Sequence, residues 1–377
     1  MPRVTGSRFY FDWSSWWTMV RLIRHEPDPA RKRKMYRTFL VVVPALAVVH
    51  TVCFVLDPVL FPALRSTEVR RPVFSVGHAR SGTTYLHRMM AADQRFSYVL
   101  LWEMFFPSLL EKKVLRQVLK LKRVRRRLDA LDERMFSKSK GMHDSGLFAP
   151  EEDDFLLAMS CCSGYWMVQF PYMGVLDFYH VDRWPDRKRK RVMAFYKECV
   201  RRQLCLNGPG VIHLSKNPVF CGRVEALIET FPDARFVVPV RNPYETIPSL
   251  LKLMAMSWKI RKRSDEQVRE SLAVLAEASF HNYEHPLAVL EAHPEVPRAI
   301  VDYSDLVTDP AGTVRRVYDE IGLDRTPELE AALAEERGRE YTSTHSYSLA
   351  EFGLEAEEIR TRLAPLFARF GWEDARV

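Results

Sequence analysis

Between Ser75 and Met90 the chain reads SVGHARSGTTYLHRMM, a stretch whose residue types suit the binding of an anion. Gly77 and Gly82 stand at G-x-x-x-x-G spacing, but Thr83 occupies the place where a nucleotide triphosphatase carries its lysine. A strand that runs into a glycine-bounded loop and then a helix N-terminus offers several backbone N–H groups and a partial positive charge. Ser81, Thr83 and Thr84 add hydroxyl donors, and Arg80 adds a permanent charge able to grip a phosphate through two bonds. The lysine-Ser/Thr pair that reaches the β/γ-phosphates and holds magnesium is missing, and no acidic strand end replaces it. Metal-dependent phosphoryl transfer is therefore disfavoured.

The elements that must position this loop read as strand and helix in alternation. Residues 72–76, 210–215, 234–240 and 298–303 are short apolar runs of strand type. Helical patterns follow the loop and occupy 219–230, 244–257, 265–290 and 312–321. This order implies an α/β fold, a P-loop-like three-layer sandwich whose mainly parallel sheet is flanked by helices, with ligands at the carboxyl ends of the strands. The notable polar motifs fall at those ends.

The opening loop resembles the 5′-phosphosulfate loop of the sulfotransferase superfamily, in the arginine version found in tyrosylprotein sulfotransferases and many bacterial sulfotransferases. FPDARFVVPVRNPYETIPSLLKL, residues 231–253, resembles the 3′-phosphate segment of the same family: a strand, an arginine at its end, and a serine eight residues later on the next helix. The resemblance implies a metal-free enzyme that moves sulfonate from 3′-phosphoadenosine 5′-phosphosulfate (PAPS) to an acceptor hydroxyl. Arg80, Ser81, Gly82, Thr83 and Thr84 would hold the 5′-phosphosulfate, and Arg241 and Ser249 the 3′-phosphate. Lys216, in HLSKNPVF, is similar to the family lysine that meets charge developing on the leaving phosphate. VDYSDLVTDP (301–310) and YTSTHSYSLAEFGL (341–354) look like late segments of the bacterial group. The likeness spans about residues 71–372.

An attacking hydroxyl must lose its proton, so a general base is expected. Glu103 in SYVLLWEMFFP is the first candidate, by resemblance to enzymes with a glutamate after the first helix; its apolar neighbours would raise a carboxylate's proton affinity if they buried it. A structural role at the strand end is the plainer alternative. The rivals are His143, Glu151, Glu152, Asp153 and Asp154, of which the four acids read as an exposed helix start favoured by the helix dipole.

With 377 residues, 47% of them hydrophobic, the chain can bury a substantial core, and its formal charge of +8 suggests anionic partners. The six cysteines form no C-x-x-C pair and read as reduced thiols. Residues 1–70 differ from 71–377, the expected catalytic domain. Aromatics at Phe9, Tyr10, Phe11, Trp13, Trp16 and Trp17 and the basic run RKRK precede an apolar stretch, 39–56, with further basic residues after it. This composition suggests a membrane-associating segment, and two basic flanks favour a dip into one leaflet and return over a single crossing, with a buried helix as the alternative. The catalytic part is then expected on the cytoplasmic side of a membrane surface. EKKVLRQVLKLKRVRRRL, 111–128, reads as a basic amphipathic helix able to lie on anionic lipid, and RKRKR, 187–191, as a solvated helix face. Nucleic acid is disfavoured because no recognition motif accompanies the charge. A lipid, sugar or peptide tyrosine could supply the acceptor hydroxyl. A magnesium-dependent P-loop kinase and a non-catalytic membrane-associated nucleotide-binding protein are the competing classes.

Overall fold

The computed structural model describes residues 8–136, 146–336 and 349–372. Five strands form one sheet in the order β2-β3-β1-β4-β5, with β1 at Val73–Ser75, β2 at Phe96–Ser97, β3 at Ile212–Lys216, β4 at Arg235–Val240 and β5 at Arg298–Asp302. β1 runs parallel to β4, placing Phe74 level with Phe236, and β4 runs parallel to β5, placing Val238 level with Ile300. All six positions of β4 are buried, as befits a strand covered on both faces. This is the mainly parallel, helix-flanked sheet expected from the alternating patterns, and β1, β3, β4 and β5 lie within a residue or two of the runs read from the sequence. β2 is too short to carry any periodicity.

The chain divides into two compact units: the first gathers segments up to Arg70, 97–166 and 185–215, the second 71–96, 167–184 and the residues from Lys216 onward. In the second unit Phe74 packs against Phe231 and Phe236, with ring centroids 5.3 and 5.8 Å away. Helix Thr83–Met90 follows the glycine loop and buries Leu86, Met89 and Met90. Helix Pro243–Ile260 starts with Asn242 accepting from the Tyr244 amide and with proline at its first position, a strong start signal. Helix Asp265–Ala292 begins with Ser264 accepting from the Gln267 amide.

The first unit is dominated by helices. Its aromatic core joins Phe9, Phe54 and Phe195 at centroid separations of 5.1 to 5.8 Å. Residues Pro29–Leu60 form one unbroken helix, long and apolar enough by length and composition to cross a membrane. The expected dip and return does not form there, although prolines at 44 and 58 remove two backbone donors. Before Pro44 the turn Thr38–Val42 widens, so that the Val43 amide bonds to the Thr38 carbonyl, and the Phe39 carbonyl takes a 2.8 Å bond from Trp16 Nε1 instead. Four residues before Pro58, the Phe54 carbonyl takes a 3.3 Å bond from Arg202 Nη2. Side chains thus replace the donors the prolines lack. The basic run after Glu111 is two helices, Leu109–Val118 and Lys122–Phe136, rather than one.

Candidate active site

The loop after β1 owes its shape to close approaches. A Cβ on Gly77 would sit 2.3 Å from the Pro239 carbonyl oxygen of β4, so only glycine lets the loop pass. Arg80 and Gly82 both have left-handed backbone, with φ of +73° and +80°. Glycine adopts this freely, whereas for arginine it costs roughly 1–2 kcal/mol, strain that persists only where the surrounding structure over-determines the backbone. A Cβ on Gly82 would also meet the Tyr303 ring at 2.8 Å. Ser81 and Thr83 are buried and Thr84 is half-buried at the helix start.

Three of the candidate donor-binding residues gather beside this loop, all within the second unit. Arg80 Nε donates to Ser249 Oγ at 3.1 Å, and Arg241 Nη1 donates to the Arg80 carbonyl at 3.4 Å. The Arg241 guanidinium also pairs with Glu245 in the first turn of the helix that follows it and lies 4.1 Å over the Tyr303 ring. Two arginines and a serine from motifs 161 and 169 residues apart therefore share one cluster. Lys216 is the last residue of β3 and is buried; the amide of the next residue, Asn217, bonds to the Ser75 carbonyl at 3.0 Å, level with the start of the loop.

Two aromatics in this cluster, and a histidine, have no assigned role in the sequence motifs. The Tyr283 hydroxyl donates to the Arg241 carbonyl at 2.7 Å and bonds to Thr246 Oγ1, while its ring stacks on His78 with centroids 4.8 Å apart. It joins the loop to the strand end that carries Arg241. Burial pushes the Tyr283 hydroxyl well above its usual range, so it keeps its proton. Burial pushes His78 down to about 4, and its Nδ1 donates to the Ala79 carbonyl at 2.6 Å. Tyr303 lies in VDYSDL, a segment noted by resemblance but without a stated role; Tyr283 lies inside a plain helical pattern and gives no local signal.

Glu103 belongs to the first unit, at the start of helix Leu101–Met104, and is 1% exposed. Its Oε2 accepts from the Leu100 amide at 3.1 Å and from Gln203 Nε2 at 2.8 Å, and its Oε1 accepts from Arg116 Nη2 at 2.7 Å. The burial is thus polar, not the apolar pocket its sequence neighbours suggest. Beside it Lys112, fully buried, donates to Gln203 Oε1 at 2.6 Å, and burial pushes its ammonium group down.

The rival acids are not an exposed helix start. Asp153 and Asp154 are buried. Asp153 accepts from Ser215 Oγ at 2.8 Å and from the Tyr196 hydroxyl, and contacts His213 Nε2 at 3.0 Å; Asp154 accepts from Ser163 Oγ at 2.6 Å and from the Gly164 amide at 2.7 Å. Each organises a turn or strand end, which is why these two acids are buried while Glu151 and Glu152 are only half-buried. His143 and most of the 341–354 segment lie outside the described residues. Of that segment's described end, Glu351 pairs with Lys252 at 3.4 Å, on the helix that carries Ser249. Among the described residues no group of three His, Cys, Asp or Glu is arranged to hold a metal ion.

The sulfotransferase family model matches residues 72–327, from the start of β1 to beyond β5. The chain is 27% identical over 331 residues, 80% of its length and 75% of the relative's, to the omega-hydroxy-beta-dihydromenaquinone-9 sulfotransferase Stf3 of Mycobacterium bovis, with the same figures for the Mycobacterium tuberculosis protein of that name. Of solved structures, sulfotransferase STF9 from Mycobacterium avium is similar with a TM-score of 0.72 at 20% identity, covering 98% of this chain and 94% of that one. Sulfotransferase STF1 from Mycobacterium tuberculosis gives 0.63 at 25% identity, covering 83% of each chain. With more than half its length matched, the chain belongs to the sulfotransferase family and is a sulfotransferase.

Proposed function

We propose that this sulfotransferase takes its sulfonate from PAPS and passes it to the hydroxyl of an apolar lipid at a cytoplasmic membrane face. The observation that carries the donor assignment is the convergence of Arg80, Arg241 and Ser249, which suits a carrier phosphorylated at both ends of its ribose. Arg80, Ser81, Gly82, Thr83 and Thr84 hold the 5′-phosphosulfate in this reading, and Arg241 and Ser249 the 3′-phosphate. Asn217 supports an anion beside Lys216. Its Oδ1 accepts from the Val219 amide at 3.0 Å, while its buried Nδ2 has no partner among the described residues, and a buried donor without an acceptor is costly.

As the acceptor oxygen bonds to sulfur, the bond from sulfur to the 5′-phosphate oxygen breaks and charge gathers on that oxygen. Lys216 meets this charge, where a preorganised cation lowers the barrier most. Glu103 takes the acceptor proton in this scheme, which requires one carboxylate oxygen to exchange Arg116 or Gln203 for the hydroxyl. The lipid class draws support from the exposed apolar helix and from the menaquinone derivative named for the Stf3 relatives. Incubation of the enzyme with PAPS labelled in its sulfonate and with lipid, sugar and peptide fractions tests the scheme. Label is expected in the lipid fraction and lost with Arg80→Ala; transfer that survives Arg80→Ala, or that appears only in sugars or peptides, overturns it.

A further inference from the structure

Helix Pro29–Leu60 is apolar on both its packed and its exposed side between Phe39 and Leu60. Its buried residues are Phe39, Val43, Ala47, His50, Phe54 and Asp57, all on one side at 3.6 residues per turn. That side holds the polar groups. His50 Nδ1 meets Glu111 Oε1 at 2.7 Å, and Asp57 accepts from Arg202 Nε at 2.7 Å, Ser108 Oγ at 2.9 Å and the Leu110 amide at 2.8 Å. The opposite side exposes aliphatics, including Leu40, Val48, Val52, Val55, Val59 and Leu60, with Val48 and Val59 64% and 65% exposed. The one hydroxyl exposed on it, Thr51, donates to the Ala47 carbonyl and so turns into its own helix. Water alone does not favour so broad an aliphatic face, because exposed apolar surface is unfavourable, and the ionisable groups that water would take sit paired on the packed side.

We infer that this face lies in the plane of an anionic bilayer, immersed to one side only, and that the helix does not cross. The inference deepens the membrane part of the proposed function and is independent of the donor assignment. Three observations favour that occupant. The packed side runs from Phe39 to Asp57, about 27 Å at 1.5 Å per residue, against a hydrocarbon core of roughly 30 Å. A crossing would therefore carry Glu111, Arg202 and the helices that bear them into hydrocarbon. Exposed cations border both ends, Arg33, Lys34 and Arg37 before the apolar face and Arg65 after it, as anionic headgroups of a single leaflet require. Trp13 and Trp17 are exposed on helix Trp13–Leu22, whose Trp16 bonds to the Phe39 carbonyl, which puts amphipathic rings at the edge of the face.

Flotation of the full chain with phosphatidylcholine vesicles, with and without 30% phosphatidylglycerol, is the test, paired with calorimetric titration of adenosine 3′,5′-bisphosphate. Wild type is expected to float with the anionic vesicles and to be released at least in part by 0.5 M NaCl. The triple variant Val48→Glu, Val52→Glu, Val59→Glu is expected to lose flotation by tenfold or more, with unchanged circular dichroism and nucleotide affinity. These substitutions fall at already exposed positions and do not threaten folding. A wild type that never floats, or a folded triple variant that floats equally, overturns the inference. So does light scattering that shows a dimer broken by the triple variant, or labelling of the separate variants Lys34→Cys and Arg65→Cys from opposite sides of a sealed vesicle. Nucleotide binding that fails while flotation persists refutes the donor assignment alone.

Discussion

Both units fasten buried acids with matched partners, as Asp93 is held by Arg95 and Tyr318 in the second, but the cluster beside the loop after β1 differs. In the second unit Arg80 bonds to a serine hydroxyl and Arg241 to a half-exposed glutamate, at a loop with left-handed backbone at two positions. In the first unit Glu103 is matched by Arg116 and Gln203, Asp57 by Arg202 and the start of helix Leu109–Val118, and Asp153 by Ser215, Tyr196 and His213. The matched networks fasten helices and strand ends. The cationic, strained cluster instead suits an anion that arrives from solution.

Glu103 is where this comparison is most exposed to failure. As a general base it predicts that Glu103→Gln lowers kcat by about 10²–10⁴-fold with little change in melting temperature. If kcat holds while the melting temperature falls by several degrees, Glu103 joins the fastening networks and the base lies elsewhere. Arg241→Ala removes charge-assisted bonds worth roughly 1.5–3 kcal/mol each, so affinity for adenosine 3′,5′-bisphosphate should fall about 10²-fold or more by calorimetry, with the fold intact. Loss of folding instead would class Arg241 with the structural pairs.

A smaller effect is expected at Tyr283. Tyr283→Phe keeps the stack on His78 but loses the bond to the Arg241 carbonyl, worth about 1 kcal/mol, so nucleotide affinity should weaken by about fivefold to tenfold while kcat at saturating donor stays the same. Equal affinity would mean the hydroxyl does not help hold Arg241. The slightest effect concerns pH. Buried His78 takes up a proton only below about pH 4 when folded, whereas the unfolded chain does so near 6.5. The unfolded state therefore binds more protons between these values, and stability should fall as pH drops from about 6.5 towards 4. His281, pushed down to about 3 by burial and by His180 and His285, acts in the same direction. Denaturant titrations of wild type and His78→Gln should differ in slope across this window; identical slopes would remove His78 as a source.

Much of the second unit was legible because its signals are local. β4 is a six-residue apolar run, Asn242-Pro243 marks a helix start, and the glycine spacing of the loop is visible in a dozen letters. The burial of Asp153 and Asp154 was not legible, since a run of acids looks the same whether solvated or matched by Ser215 and Ser163. Nor was Tyr283, whose partners Arg241 and His78 are 42 and 205 positions away in the chain.

The linear order of residues by itself determined the parallel α/β plan, a glycine-bounded loop after β1 and an apolar segment between basic flanks, while the arginine and serine gathered beside that loop were implied by resemblance to sulfotransferases. Local periodicity and turn chemistry act over a few residues and need no tertiary context. Only the folded chain decided that Glu103 is ringed by donors and that Pro44 and Pro58 leave a helix unbroken. It also decided that the helix turns His50 and Asp57 inward and its valines outward. Those outcomes depend on which distant group supplies each hydrogen bond, and pairing across 13 to 148 residues leaves no mark in local spacing.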